Sequence, residues 1–385
     1  MSSAVHLPQG FRASGVAAGL KTTGAPDLAL VVNDGPDHHA AAVFTSNRVE
    51  AAPVTWSRQV LRDARVDAVV LNSGGANACT GPEGFADTHR TAEHVAEALD
   101  ISAGDVVVCS TGLIGERLPM DRVLRGVDAA AAALSAEGHE AAAVAIMTTD
   151  TVHKVAAFGG DGWSVAGLAK GAGMLAPALA TMLVVLTTDA VVAPEDLDAA
   201  LRLATAVSFD RIDSDGCMST NDTVVVLASG ASGVRVPAGA LTAALTEVCN
   251  DLARQLIADA EGAQHDIAIE VVSAASEQDA LEVARAVARN TLFKCAIFGN
   301  DPNWGRVLAA VGTTGADFEP ARLDVTMNGV HVCRAGGVGE DRSLVDLTGR
   351  EVHLLIDLHA GSADATIWTN DLTHDYVHEN SAYSS

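Results

Sequence analysis

The strongest constraint on the fold is an alternation, along the whole chain, of short apolar runs with longer amphipathic segments. The runs "DAVVLN" (67–72) and "DVVVCS" (105–110) have the length and β-branched content of buried strands, and turn-forming residues bound them. Between them, residues 85–100 place apolar side chains on one face of a helix. This alternation predicts an α/β or α+β protein with mixed sheets.

The rest of the chain continues the pattern. Further helices are predicted at residues 122–134, 140–147, 194–207, 238–260 and 279–289. Further strands are predicted at residues 181–192, 223–230 and 267–274. Near the β-rich C-terminal end, Asn328-Gly329 is typical of a hairpin turn. A chain of 385 residues is too long for one small core, so two domains or two large lobes are expected.

The charge balance limits the partners. The chain has 24 Lys and Arg against 49 Asp and Glu, and 24 − 49 gives a net charge of −25. Such a surface repels polyanions, so we expect neither a nucleic acid nor an anionic membrane as a partner. No H-E-x-x-H motif and no Cys/His cluster at zinc spacing occurs in the sequence, so no metal is expected.

The cysteines and the apolar runs predict a cytoplasmic protein. The six cysteines are far apart and form no C-x-x-C pair, which fits a reducing compartment rather than a disulfide framework. The N-terminal stretch "MSSAVHLPQGFRASG" lacks the apolar core of a signal peptide. The most apolar run, residues 174–186, is short for a membrane span and contains Pro177.

Five loops rich in small polar residues are candidates for a functional site. They are "NSGGANACTG" (72–81), "STGLIGERLP" (110–119), "MTTDT" (147–151), "DSDGCMSTND" (213–222) and "FGNDPNWGR" (298–306). The first two directly follow predicted strands, where α/β proteins place ligands. Each loop alone is also what an ordinary turn requires. Together they favour an enzyme without naming its chemistry.

Several common site motifs are missing from the sequence. There is no G-x-G-x-x-G before a helix, no G-x-x-x-x-G-K-[ST] and no G-x-S-x-G. Nucleotide binding and a Ser-His-Asp hydrolase are therefore disfavoured. Catalysis by Cys109 or Cys217 stays open, but nothing in the sequence marks a partner histidine, and a cysteine is more often a small buried apolar residue.

The stretch "KGAGMLAPALATMLVVLTTDA" (170–190) allows an unusual nucleophile. If the bond between Ala180 and Thr181 were cut, the new α-amine of Thr181, with a pKa of about 7.7–8.0, could act as the base for its own hydroxyl. Gly171 and Gly173 permit the backbone angles that would present that bond. The alternative is a lysine-terminated helix, a glycine stop and a β-strand.

A nucleophilic attack on a carbonyl also needs donors for the developing oxyanion. Thr111 and Gly112, just after the predicted strand at 105–110, offer backbone N–H groups and a hydroxyl in a loop. They are the candidate oxyanion hole.

Long strings in the sequence resemble the ornithine acetyltransferase family of arginine biosynthesis (glutamate N-acetyltransferase/ornithine acetyltransferase). They are "NSGGANACTG", "STGLIGERLPM", "MTTDT", "AKGAGMLAPALATML", "STNDT", "FGNDPNWGR" and the terminal "DYVHENSAYSS". They occur in the order of the family and extend over nearly the whole chain.

The resemblance implies self-cleavage into an α chain of residues 1–180 and a β chain of residues 181–385. Thr181 would then be acetylated by N-acetylornithine, ornithine would leave, and glutamate would take the acetyl group in a ping-pong exchange. The implied fold is a two-lobed, mixed-sheet α/β architecture with two interwoven chains. The implied assembly is a heterotetramer of two α and two β chains without a cofactor.

The resemblance also assigns roles to residues. Thr111 and Gly112 match the oxyanion hole of the family. Its substrate-contact positions match Thr149, Lys170, Thr181, Glu261, Asn380 and Ser385. Lys170 would pair with a substrate carboxylate, and Glu261 with the ammonium group of ornithine. Without the resemblance, Glu261 would be explained as a solvated charge at a helix end, and Asn380 and Ser385 as a frayed tail.

A few positions depart from the family pattern, and some alternatives stay open. His153, Ala178 and the pair Cys217-Met218 are unusual, which bears on substrate preference more than on the type of reaction. The same threonine would also serve an amide hydrolase or aminopeptidase, and an uncleaved chain could be a scaffold. The sequence leaves open whether acetyl-CoA is a second acetyl donor and whether the pathway is primary arginine biosynthesis or a secondary one.

Overall fold

The computed structural model describes residues 5–176 and 182–382. The strands in this part of the chain are β1 (Phe11–Val16), β2 (Leu28–Asn33), β3 (His39–Phe44), β4 (Ala68–Ser73), β5 (Val106–Thr111), β6 (Lys154–Gly159), β7 (Ser164–Lys170), β8 (Leu183–Thr188), β9 (Thr223–Ala228), β10 (Asp266–Ala274), β11 (Asp324–Met327), β12 (Val330–Arg334), β13 (Gly337–Val338), β14 (Glu351–Asp357) and β15 (Ala363–Asn370). The helices are α1 (Ala52–Val60), α2 (Gly81–Leu99), α3 (Met120–Ala132), α4 (His139–Ala145), α5 (Pro194–Ala206), α6 (Ala238–Ala258), α7 (Glu277–Ala288), α8 (Thr291–Phe298), α9 (Trp304–Val311) and α10 (His374–Ala382).

The first lobe has four layers. A four-stranded sheet of order β1-β2-β4-β5 packs face to face on a five-stranded sheet of order β3-β9-β8-β7-β6. Leu71 of the first sheet and Val185 of the second share the core between the sheets. Helices α2 and α3 cover the outer face of the four-stranded sheet, and α5 and α6 cover the outer face of the five-stranded sheet. Both sheets are buried on their two faces, which explains their continuous apolar strands.

The second lobe is a six-stranded sheet of order β13-β12-β11-β14-β10-β15 with its own core. Helices α7, α8 and α9 contribute apolar side chains to that core. The mixed-sheet α/β class and the two lobes expected from the sequence are thus confirmed.

The position of the predicted cleavage bond divides the sheets unevenly. The four-stranded sheet uses only strands that precede residue 180, and the six-stranded sheet uses only strands that follow residue 181. The five-stranded sheet takes β3, β6 and β7 from the first part of the chain and β8 and β9 from the second. Two antiparallel pairings, β7 with β8 and β3 with β9, join the two parts.

Most predicted elements occur within a few residues of their expected bounds. Helix α5 begins at Pro194, and Ser276 caps α7 by accepting a hydrogen bond from the Asp279 amide at 3.1 Å. Asn328 and Gly329 both have positive φ between β11 and β12, as a hairpin turn of this kind requires. The alternative considered for residues 170–190, a helix ending at Lys170, is not observed, because Lys170 ends a strand, β7.

In the described part of the chain, no helix has the length and apolar character needed to cross a membrane.

Candidate active site

One cavity lies where the strands of the first lobe converge. The carboxyl ends of β5 and β7 meet the amino ends of β8 and β9 there, because Lys170 is paired with Leu183 and Leu183 with Thr223. Six residues predicted as site residues line this cavity: Thr111, Gly112, Thr149, Lys170, Glu261 and Asn380. The other three, Ala180, Thr181 and Ser385, lie outside the described residues.

Four of the five polar loops contribute to the cavity wall. The lining includes one residue or more from each of these four loops, among them Ala76, Ile114, Thr148 and Asn221 in chain order. Asn221 ties three of these loops together, because its Nδ2 donates to the carbonyl oxygens of Ala76 at 2.6 Å and Ser110 at 2.8 Å. The fifth loop, 298–306, connects α8 to α9 in the other lobe and does not line the cavity.

Lys170 supplies a buried positive charge to the cavity. It is 1% exposed, and its Nζ lies 3.3 Å from the Oγ1 of Thr111. Burial lowers the pKa of Lys170, against the opposing influence of nearby carboxylates, of which Asp150 is the strongest. Among the described residues, no carboxylate lies within ion-pair distance of this ammonium. It is therefore available to an anionic ligand.

Asp150 links its own loop, residues 147–151, to the turn that follows Lys170. Its carboxylate accepts hydrogen bonds from the backbone N–H groups of Thr148 at 2.9 Å and Gly171 at 2.7 Å. It also pairs with the Nζ of Lys154 at 2.7 Å, and that lysine contacts Asp259 at 2.6 Å. Burial alone would raise the pKa of Asp150, but the ammonium groups of Lys170 and Lys154 outweigh it and hold the pKa at about 2.

Gly112 occupies a place that only glycine fits. Its φ is +129°, and a Cβ added to it would lie 2.6 Å from the backbone nitrogen of Gly75. That nitrogen donates to the carbonyl oxygen of Thr111 at 3.0 Å, which fixes the end of β5 against the neighbouring loop. The turn therefore presents the Thr111 hydroxyl and the Gly112 backbone at the cavity wall.

Glu261 and Asn380 also line the cavity and contact each other. The Nδ2 of Asn380, on α10, donates to the Oε2 of Glu261 at 2.9 Å. The Glu261 amide donates to the carbonyl oxygen of Ala172 at 3.0 Å. A Cβ on Gly173 would lie 2.6 Å from the Glu261 carboxylate oxygens, so this glycine makes room for them. Neither residue is merely a solvated charge or part of a frayed tail.

Asp222 is a second carboxyl group that sequence reasoning missed. It is fully buried, and its Oδ1 accepts a hydrogen bond from the backbone N–H of Met182 at 3.1 Å. Burial raises the pKa of Asp222 well above its usual value. The only sequence signal for Asp150 and Asp222 was their membership of the "MTTDT" and "STND" strings, which gave no role to either one.

The two cysteines left open as nucleophiles are not placed for catalysis. Neither Cys109 nor Cys217 lines the cavity. Burial raises the pKa of the Cys109 thiol to about 12, and burial also raises that of Cys217. Both therefore favour the thiol, which is the unreactive form.

Known proteins resemble this chain over nearly its whole length. A family model described as the ArgJ family matches residues 12–385. The "Arginine biosynthesis bifunctional protein ArgJ" of Streptomyces coelicolor is 66% identical over 381 residues, which cover 99% of this chain and all of that protein. The protein of the same name from Thermobifida fusca is 65% identical with the same coverage. A crystal structure of ornithine acetyltransferase from Mycobacterium tuberculosis, complexed with ornithine, is 58% identical over 46% of this chain and 94% of that one, with a TM-score of 0.44.

Proposed function

This chain belongs to the ArgJ family, and from that premise we propose that it transfers the acetyl group of N2-acetyl-L-ornithine to L-glutamate. The products are L-ornithine and N-acetyl-L-glutamate. The chain is an acyltransferase of arginine biosynthesis that acts on small molecules. The observation that carries the reaction at the level of the site is the convergence of a buried ammonium, a glycine turn and a carboxylate–amide pair on one cavity.

We propose that the chain first cuts itself between Ala180 and Thr181. The free α-amine then accepts the proton of the Thr181 hydroxyl, which attacks the acetyl carbonyl. Thr111 and Gly112 stabilise the oxyanion, since the turn at the end of β5 presents both at the cavity wall. Ornithine leaves, and glutamate takes the acetyl group from the threonine in the second half of a ping-pong cycle.

Charge complementarity supports the proposed substrate orientation. Both substrates carry a carboxylate, for which Lys170 is the available buried cation. The side chain of ornithine ends in an ammonium group, for which Glu261 is the available anion, held in place by Asn380. Thr149 and Ser385 complete the proposed substrate contacts.

We further propose a second acetyl donor and a particular assembly. The relatives from Streptomyces coelicolor and Thermobifida fusca bear the word bifunctional in their names, which supports acetyl-CoA as an additional donor for glutamate. No resident cofactor is needed for either reaction. Two copies of each fragment form a heterotetramer in the cytoplasm, with the shared five-stranded sheet joining the fragments of one precursor.

The function is tested by incubating the purified enzyme with acetyl-labelled N-acetylornithine, with and without glutamate. We expect label in N-acetylglutamate only when glutamate is present, and no turnover by Thr181→Ala. Release of acetate at the full rate without glutamate would instead support the alternative, a threonine-dependent amide hydrolase or aminopeptidase, which the family membership does not favour. Supplying acetyl-CoA and glutamate alone tests the second donor.

A further inference from the structure

A buried ion triad lies next to the wall of the cavity. The Nζ of Lys154 donates to the Oδ1 of Asp150 at 2.7 Å, to the Oδ2 of Asp259 at 2.6 Å and to the carbonyl oxygen of Val152 at 3.2 Å. The Lys154 side chain is fully buried, and the two carboxylates are at most 8% exposed. None of the three charged residues lines the cavity or takes part in the acetyl transfer proposed above.

Each chain segment that meets at the triad also carries one proposed substrate contact. These contacts are Thr149, Lys170 and Glu261. The amide of Gly171, directly after Lys170, donates to Asp150 at 2.7 Å. Asp259 caps the end of α6, two residues before Glu261, and accepts from the backbone N–H of the residue after Asp150 at 3.0 Å. The triad therefore lies within two residues of three groups that would touch the substrate.

A backbone contact closes these segments into a ring. The Glu261 amide donates to the carbonyl oxygen of Ala172 at 3.0 Å, in the same turn whose preceding amide donates to Asp150. Lys154 then bridges Asp150 and Asp259 on the other side of the ring. Substitution of Lys154 opens this bridge and leaves the backbone contacts in place.

The ammonium of Lys154 also separates two like charges. The Asp150 carboxylate is ionised at neutral pH, because its pKa is about 2. Without the lysine, this carboxylate and that of Asp259 would face each other in a buried place, where repulsion is stronger than in water. Asp150 is bound to the turn after Lys170, and Asp259 lies on the segment of Glu261. Repulsion between the carboxylates would therefore move Lys170 and Glu261 apart.

We propose that Lys154 is a positioning residue that sets the length of amino-acid substrate the site accepts, by fixing the separation between Lys170 and Glu261. The inference rests on the proposed function, in which Lys170 binds the carboxylate of N-acetylornithine and Glu261 binds its terminal ammonium. N-acetyllysine carries the same two groups one methylene further apart. The intact bridge disfavours this longer homologue, and an opened bridge admits it.

The test compares kcat/KM for N-acetylornithine and Nα-acetyllysine, with glutamate as acceptor, in the wild type and in Lys154→Met. One methylene is worth about 10–200-fold in such a ratio, so we expect the wild type to prefer N-acetylornithine by that factor. In Lys154→Met the ratio should fall about tenfold, chiefly through a higher KM for N-acetylornithine. A merely structural role would lower both values in proportion, so an unchanged ratio would overturn the inference, as would a wild type that does not discriminate.

A second variant opens the same bridge from its other end. Asp259→Asn alters the volume little and keeps an oxygen for the backbone N–H groups, so it tests the inference even where Lys154→Met does not fold. It should shift the ratio in the same direction. The double variant Lys154→Met/Asp259→Asn should be at least as selective as Lys154→Met alone, because the asparagine removes the like-charge repulsion. Losses of selectivity that add in the double variant would contradict a shared bridge.

The matched control is Arg350→Met. Arg350 pairs with Asp266 at 2.9 Å and donates to the carbonyl oxygen of Ala258, so it ties the same end of α6 to the second lobe. Its loss should leave the donor ratio at the wild-type value, and an equal fall in the ratio would overturn the special role of Lys154. A wild type that transfers no acetyl group from N-acetylornithine would instead sink the proposed function itself.

Discussion

At the scale of single residues, burying the Lys170 ammonium costs folding stability but serves the proposed binding of substrate. An ammonium group is costly to bury, since burial disfavours its charged form, and within the described residues no carboxylate lies within ion-pair distance of Lys170. The fold retains it at the end of β7, beside the Thr111 hydroxyl. A substrate carboxylate in direct contact with Lys170 would add a closer counter-charge than Asp150 provides, which links the cost of burial in the free protein to binding in the complex.

The first prediction follows from this balance. Lys170→Met should lower kcat/KM for both N-acetylornithine and glutamate about tenfold to 100-fold, the worth of a charge-assisted hydrogen bond. Its thermal midpoint should change little, because the relief from burying a charge is offset by the lost attraction between Lys170 and Asp150. Lys21→Met is the control, since Lys21 does not line the cavity. A Lys170→Met variant with unchanged kinetics would show that this ammonium does not bind substrate.

Asp150 gives a prediction on pH and stability. Its pKa of about 2 lies below the value of about 3.9 for an unfolded aspartate, so its ionised form stabilises the fold. That contribution, about 2 kcal/mol by linkage, is fully present above about pH 5 and is lost as the pH falls through the folded pKa. Asp150→Asn should therefore unfold at a lower temperature than the wild type at pH 7.

The measurement compares thermal midpoints of Asp150→Asn and the parent chain from pH 7 down to pH 3. Both carry Thr181→Ala so that each remains one continuous chain. The gap between the two midpoints should narrow as the pH falls. A gap that stays constant over this range would mean that the charge on Asp150 contributes nothing to stability.

At the scale of elements, the C-terminal helix α10 connects the chain end to the cavity. The Thr373 hydroxyl accepts from the Tyr376 amide at 3.0 Å and donates to the Gly262 carbonyl oxygen at 2.7 Å. Asn380, one turn later, reaches Glu261. The helix thereby holds a site residue from the last part of the described chain against one that follows α6.

Removing the hydrogen bond between Asn380 and Glu261 should weaken substrate binding more than it slows the chemical step. Asn380→Ala should raise KM for N-acetylornithine about tenfold, because the Glu261 carboxylate loses a charge-assisted hydrogen bond that fixes it. The rate constant kcat should change less. His378→Ala, on the same exposed helix but without a side-chain contact to Glu261, is the control. Equal KM values for all three proteins, measured by steady-state kinetics, would argue against a role for α10 in substrate binding.

The predictability of elements depended on local chemistry. Strands β4, β5 and β9 were identified because valine-rich runs between turn residues favour strands. Strand β7, "SVAGLAK", was missed because it is poor in such residues. Its glycine, Gly167, is required by long-range packing, since a Cβ there would lie 2.7 Å from the Leu186 side chain. Asp150 and Asp222 were missed for a similar reason: their roles arise from contacts between segments distant in sequence.

At the scale of the whole molecule, the two predicted fragments share one sheet and two cores. Residues from before and after the cleavage bond occur together in the core between the sheets and in the core under α5 and α6. Asn221 adds hydrogen bonds across the two parts. Separating the fragments would expose this apolar surface, which is unfavourable.

The fragments should therefore remain together after cleavage. On size-exclusion chromatography without denaturant, we expect fragments 1–180 and 181–385 to elute in one peak, and to separate only after unfolding. Uncut Thr181→Ala provides the reference elution position. Two separate peaks under native conditions would contradict the interwoven arrangement.

We propose, as the centre of the mechanism, that cleavage frees the α-amine that activates the Thr181 hydroxyl, and that this hydroxyl then carries the acetyl group. Intact-mass and peptide mass spectrometry of the enzyme, incubated with N-acetylornithine and without glutamate, tests it most directly. We expect fragments 1–180 and 181–385, with one acetyl group on the hydroxyl of Thr181 that disappears when glutamate is added. An active enzyme with the 180–181 bond intact, or with the acetyl group on another residue, would contradict it.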